Sequence, residues 1–255
     1  MNNNYIVSLT TIPSKFDNLY ITIDSIINQT ILPSKIVVNI PEVYNFRFND
    51  LKISAEQIKN FEDKYSEHNV FINIIKEDFG PGTKLLGLLN SNMISNLDNK
   101  SNTYVVVIDD DLKYKPYMIE GFDNFAKKNQ NAEVSSYCCY TLYNITIGQG
   151  ADGLFIKLDC LDHFLNYYNV IKDSDYINYH DDIYFSYYFY LINKKIHHLE
   201  PLFNCGIYDF QPNSKIDALG SIQGKYSRQT LNIKINDILT EKNNKGEFDI
   251  FKKTF

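Results

Sequence analysis

Over its first 110 residues the chain alternates between two patterns of apolar positions. Short β-branched runs at 5–9, 35–40, 71–75 and 104–107 have the length and make-up of buried strands. Between them, apolar residues recur at helical spacing. Leu19, Ile23, Ile26 and Ile27 predict a helix from about residue 17, and further helices are expected at 54–65 and 85–94. Pro13, Pro33 and Pro41 punctuate the pattern where the chain must turn, because proline sets φ and removes a backbone donor. Strict alternation of strand and helix calls for βαβ units. The expected class is α/β, with a central, mostly parallel sheet between two helical layers.

Beyond residue 111 the order loosens. The pattern predicts a helix at 116–128, a strand at 134–140 and a glycine-rich turn at 148–153, followed by Leu154-Phe155-Ile156-Lys157. Helices are expected from about 159 and over 181–193, with short strands near 196–199 and 206–210. From about 211 the chain is polar and rich in Lys and Asn, with one helix expected near 231–241. The expected organisation is a domain over 1–210 and an extension over 211–255 that packs back on it.

Composition narrows the function classes. At 44% hydrophobic, the 255 residues can build a real core, which excludes a disordered chain. A net charge of -6 argues against a general nucleic-acid binder. Cys138, Cys139, Cys160 and Cys205 contain no C-x-x-C pair, so neither a zinc pattern nor a disulfide framework is expected, and free thiols in a reducing compartment fit best. The N-terminus has no basic and apolar leader, and no stretch is long and apolar enough to span a membrane. The expectation is a soluble, cytoplasmic protein. The aromatics are Tyr and Phe alone, and some could offer a face to a sugar or base ring.

The segment with most chemistry is Asp109-Asp110-Asp111, directly after the run Tyr104-Val105-Val106-Val107-Ile108. Carboxylates this close repel one another unless a cation joins them. At the C-terminal end of a parallel strand they face the crevice where such sheets bind ligands. A hard divalent ion, Mn²⁺ or Mg²⁺, is the simplest partner, since it takes oxygen donors. A plain acidic turn is the alternative.

Three further segments stand out. Lys84 follows Gly80-Pro81-Gly82 at a helix start, where a cation opposes the helix dipole and calls for a phosphate or carboxylate nearby. Gly150-Ala151-Asp152-Gly153 reads as a β-turn or as backbone open to close approach by a ligand. Asp181 and Asp182 open an aromatic helix, either as acids favoured by the dipole or as a pair in which one carboxyl raises the other's pKa to make a base.

Taken in order, these segments resemble nucleotide-sugar glycosyltransferases of the GT-A fold, in particular family-2-like enzymes. The opening Ser8-Leu9-Thr10-Thr11-Ile12-Pro13-Ser14-Lys15 is similar to that family's S-L-T-S-x-P-x-R, with Lys in place of Arg. The acidic triplet looks like its D-x-D motif, and His180-Asp181-Asp182 like the pair carrying the catalytic base. The resemblance runs from residue 5 to about 190 and leaves the tail uncovered.

The resemblance implies a metal-dependent transfer of a sugar from a nucleotide-sugar donor, UDP-linked, to a glycan or other hydroxyl acceptor, with inversion. A retaining enzyme of the same fold is the variant reading. It implies that Asp111 and Asp109 hold the metal, that Asp182 is the base and that Asp181 orients it. Thr10, Thr11, Ile12, Lys15, Lys84, Asp110, Gly150, Ala151 and Asp152 would then contact the donor. His197 or His198 is a candidate late metal ligand, though adjacent strand residues face opposite ways, so at most one could serve. Two rival classes are a non-catalytic sugar-nucleotide or glycan binder and a phosphatase of the haloacid dehalogenase type. The latter expects Thr or Val where this chain has Lys113.

Overall fold

The computed structural model describes residues 3–94, 97, 100–129, 132–202, 206–212 and 214–252. Its strands are β1 (Asn4–Thr10), β2 (Lys35–Pro41), β3 (Val70–Ile75), β4 (Thr103–Val107), β5 (Leu112–Tyr114), β6 (Val134–Ser136), β7 (Cys139–Leu142), β8 (Ile145–Gly148), β9 (Leu154–Lys157), β10 (Ile196–His198) and β11 (Tyr208–Phe210). The helices are α1 (Leu19–Ile27), α2 (Ala55–Lys64), α3 (Thr83–Leu89), α4 (Met118–Lys128), α5 (Phe164–Ile171), α6 (Asp181–Leu191), α7 (Arg228–Asn244) and α8 (Asp249–Lys252).

Seven strands form one sheet in the order β10-β6-β9-β4-β1-β2-β3. β1 pairs in parallel with β2 and β4, and β2 with β3. β9 runs antiparallel between β4 and β6, and β10 is parallel to β6. Every strand but β9 therefore points the same way, and the expected mostly parallel sheet is present. Its layers follow from period-two alternation. Ile6, Val37, Val105 and Val107 face a core closed by α3, α5, α6 and α7. Val7, Leu9, Val38 and Val106 face the opposite core under α1, α2 and α4.

Local signals explain several boundaries. Ser54 and Gln57 form a reciprocal capping box that starts α2. Gly80 has φ of 58°, and a side chain there would collide with the Asn178 carbonyl, so the turn into α3 needs glycine. α7 buries Leu231, Ile235 and Leu239 at i, i+4 and i+8. Each such side chain contributes about 1.5–3 kcal/mol by leaving water.

Two elements differ from expectation. The strand expected at 134–140 divides into β6 and β7, because the Ser136 hydroxyl turns back on the Cys138 and Gln149 carbonyls and redirects the chain. β7 and β8 then form a hairpin whose turn, Tyr143-Asn144, has positive φ at both residues. Residues 112–114, to which the sequence pattern assigned no element, pair with β11 as β5. No helix among the described residues is long and apolar enough to cross a membrane. Cys138, Cys139 and Cys160 are free thiols, and Cys205 lies outside the described residues.

Candidate active site

Three parallel strands, β1, β2 and β4, end at one edge of the sheet, and a cleft of about 240 Å³ opens there. Ile108 extends β4 by donating its N–H to the Ser8 carbonyl. Asp109, Asp110 and Asp111 form the turn from β4 into β5. That turn is pinned from three directions. Thr22 of α1 sets its hydroxyl 2.7 and 2.8 Å from the Asp110 and Leu112 carbonyls. Gln211 donates its backbone N–H to the Asp111 carbonyl and its side-chain amide to Thr22 Oγ1. Tyr114 accepts the Asp109 N–H at 3.0 Å and donates to the Ala151 carbonyl at 3.0 Å, which ties the acidic turn to the glycine-rich turn.

The second acidic pair arrives on α6. Asp181 and Asp182 occupy its first turn, where the helix dipole favours negative charge. Lys84 stands between the two acidic groups. Its Nζ lies 2.6 Å from Asp109 Oδ1 and 3.1 Å from Asp181 Oδ2, and its side chain is only 5% exposed. The anion that its place at a helix start calls for is thus supplied by the chain's own carboxylates. Asp182 Oδ1 accepts the Gly150 N–H at 2.9 Å. A Cβ at Gly150 would stand 3.0 Å from Lys84 Nζ and 3.4 Å from Asp182 Oδ1, so glycine keeps room for both groups. On the other side, Lys15 Nζ pairs with Asp111 Oδ2 at 2.8 Å.

The electrostatics follow from burial. Burial alone would pull the Lys84 ammonium down, but Asp109, Asp181 and Asp182 together hold it well above its ordinary value. Burial, and then Asp181, push Asp182 up to about 7. Burial pushes Asp110 up to about 6, with Lys15 pulling the other way. Asp110 Oδ2 is buried with no hydrogen-bond partner. Asp152 is also raised to about 6, by burial and by Asp109. His180 is buried and held neutral, its pKa lowered to about 3 by burial, Arg228 and Lys84.

The cleft lining includes Thr10, Thr11, Ile12, Lys15, Lys84, Asp109, Asp110, Asp111, Asp181 and Asp182. Gly150, Ala151 and Asp152 are outside that lining and reach the site through the contacts to Asp182 and Tyr114 and the influence of Asp109 on Asp152. His197 packs near Phe125, and His198 Nε2 lies 3.0 Å from the Tyr137 carbonyl, so neither faces the cleft.

Sequence reasoning missed an aromatic loop and part of the tail. Tyr44, Phe46, Arg47 and Phe48, between β2 and α2, form one wall. Tyr44 donates its hydroxyl to the Thr11 carbonyl. Asp78 accepts the N–H groups of Phe46 and Gly80 on its two oxygens and clamps this loop to the turn before α3. Asp217–Gly220 and Arg228 come from the tail. Asp217 takes the Ser14 hydroxyl at 2.6 Å, and its carbonyl accepts from Arg47 at 2.9 Å. The one local signal for the loop was its run of aromatic and basic residues beside Pro41.

No family model and no curated protein matches the chain. Solved structures do. One of S. aureus TarS 1-349 in complex with UDP is 14% identical, with a TM-score of 0.52 over 80% of this chain and 59% of that one. Another of TarS 1-349, in complex with UDP-GlcNAc, is 14% identical, with a TM-score of 0.51 over 88% of this chain and 62% of that one. The chain therefore spans about three fifths of the length of the TarS 1-349 structures that it matches. The sheet order, the helical layers and this likeness together give the chain the GT-A fold that the sequence led us to expect.

Proposed function

We propose that the protein is a glycosyltransferase that moves a sugar from a nucleotide donor, UDP-linked, to a hydroxyl acceptor, with inversion. One observation carries this reading. An acidic turn at a strand end and an acidic pair at a helix start meet in one cleft, bridged by a buried lysine. Such a cleft can hold a diphosphate at one end and deprotonate a hydroxyl at the other. The fold shared with TarS, whose structures contain UDP and UDP-GlcNAc, supports the choice of donor.

In this reading Asp182 takes the acceptor proton, since a carboxyl raised toward neutrality is a better base than an ordinary one. Asp181 and Lys84 orient it. Thr10–Ile12 and the aromatic wall hold the nucleoside, and Lys15 reaches a phosphate. Residues 1–210 form the catalytic domain, and 211–255 are an extension whose described part completes the cleft. We place the protein in the cytoplasm.

A divalent cation, Mn²⁺ or Mg²⁺, suits the donor set. Seven aspartates face four cationic side chains across the cleft, a balance that repels a diphosphate unless more positive charge is added. Asp111 and Asp109 offer hard oxygen ligands, and they would hold the ion. Bound there, it would stabilise negative charge building on the leaving diphosphate.

The test is Asp182→Asn. Transfer from UDP-sugars should fall by at least a thousandfold while UDP binding by calorimetry stays within a few-fold. Retained turnover would remove Asp182 as base. A protein that binds donor but never turns it over, with any acceptor, would favour the non-catalytic relative.

A further inference from the structure

We propose that Lys15 is an internal counterion of Asp111 that a divalent cation displaces, and that the freed ammonium then serves as an anion ligand in the same cleft. This rests on the metal site of the proposed function. The D-x-D carboxylates do not wait open for a metal. Asp111 Oδ2 is taken by Lys15 at 2.8 Å and Asp109 Oδ1 by Lys84 at 2.6 Å. The lysine pair with Asp111 is well shielded, with side chains 11% and 20% exposed. A doubly charged ion and an ammonium cannot share one carboxylate oxygen at close range without strong mutual repulsion.

The two lysines differ in what they can do next. Lys84 has a second carboxylate, Asp181, at 3.1 Å, so losing Asp109 leaves it anchored. Lys15 has no second carboxylate within ion-pair distance among the described residues. Its backbone is held, since Lys15 and Phe16 both donate N–H to the Ile12 carbonyl. Asp111 is held too, through the Gln211 N–H on its carbonyl. Only the four-carbon stem of Lys15 is free to swing. The ammonium therefore moves within the cleft, where Lys15 is proposed to reach a phosphate of the donor. A compact ammonium on a flexible stem suits this exchange better than the planar fork of arginine.

The experiment uses the whole protein and Mn²⁺ alone. Lysines are acylated briefly with an N-hydroxysuccinimide ester, and each site's rate is read by peptide mass spectrometry. Adding Mn²⁺ should raise the Lys15 rate at least threefold, with exposed Lys113 unchanged as the internal reference. A Lys15 rate that stays level or falls overturns the exchange. As a second measurement, Lys15→Met should bind Mn²⁺ at least fivefold more tightly than the parent by calorimetry, because the competing charge is gone. Equal or weaker binding also overturns it. UDP binding separates the two ideas. If UDP binds with Mn²⁺ while Lys15 labelling does not move, the exchange fails and the donor reading stands. If Mn²⁺ exposes Lys15 but UDP never binds, the exchange stands and the donor reading fails.

Discussion

Replacing Lys84 with methionine keeps most of the stem volume and removes the charge that joins the two acidic groups. In the parent, Lys84 is 5% exposed and Asp181 8%, so this is a buried pair, whereas Asp109 at 34% is partly solvated. Breaking a buried pair by deleting one partner costs roughly 3–5 kcal/mol. The Asp109 half must be discounted for screening, which puts the expected loss near the low end, about 3 kcal/mol. For a chain of this size each kcal/mol moves Tm by about 2–4 °C, so the variant should melt on the order of 10 °C lower at pH 7.5. The sign with pH is distinctive. Because the Lys84 pKa is held above 10.5, the parent keeps that contribution at every pH below the unfolded lysine value. In the variant the orphaned carboxyls are pushed upward, so the folded form binds extra protons above about pH 4 and gains stability as pH falls. The gap between parent and variant should therefore narrow from pH 7.5 to pH 5.5, by about 1.4 kcal/mol for each pH unit within that window that one carboxyl's raised pKa spans. Thermal melts followed by circular dichroism at both pH values measure this. A gap under 2 °C at pH 7.5, or one that does not shrink at pH 5.5, would refute the account of Lys84 as the charge bridge.

Two further outcomes follow from the same structure. With Asp182 raised to about 7, kcat/KM should climb about tenfold per pH unit below that value and level off above it, since only the deprotonated form accepts a proton. The same shift works against stability as pH rises from about 4 through 7. A pH–rate profile flat from 5.5 to 8 counts against Asp182. In the tail, Leu239 is fully buried, so Leu239→Ala should cost about 2–5 kcal/mol and lower a single cooperative melting transition. An unchanged Tm would mean that α7 is not part of the cooperative core.

Much of the architecture was legible because burial leaves a periodic record. β1, β2, β3 and β4 were readable as β-branched runs, and α1 as apolar residues at helical spacing. Lys84 was readable as a problem in need of an anion, since a cation at a helix start is unfavourable alone. The hairpin of β7 and β8 was not. Its strands are four residues each, half-exposed, and their bend depends on where the Ser136 hydroxyl finds partners. β5 was equally hidden. Three residues become a strand only because β11, almost a hundred positions later, lies beside them.

The sequence alone determined the alternation of strand and helix, the two-faced burial of the sheet, and the placing of three acids at the end of a buried strand. These depend on local periodicity and on the chemistry of near neighbours. Only the tertiary structure decided which charges meet. Lys15 and Asp111 are 96 positions apart, and Lys84 and Asp181 are 97 apart. Gln211 reaches the acidic turn, and Asp217 the cleft, from a tail whose own composition is simply polar. Charge pairing across such separations leaves no periodic trace, because any lysine can meet any aspartate once the backbone brings their side chains within a few ångströms.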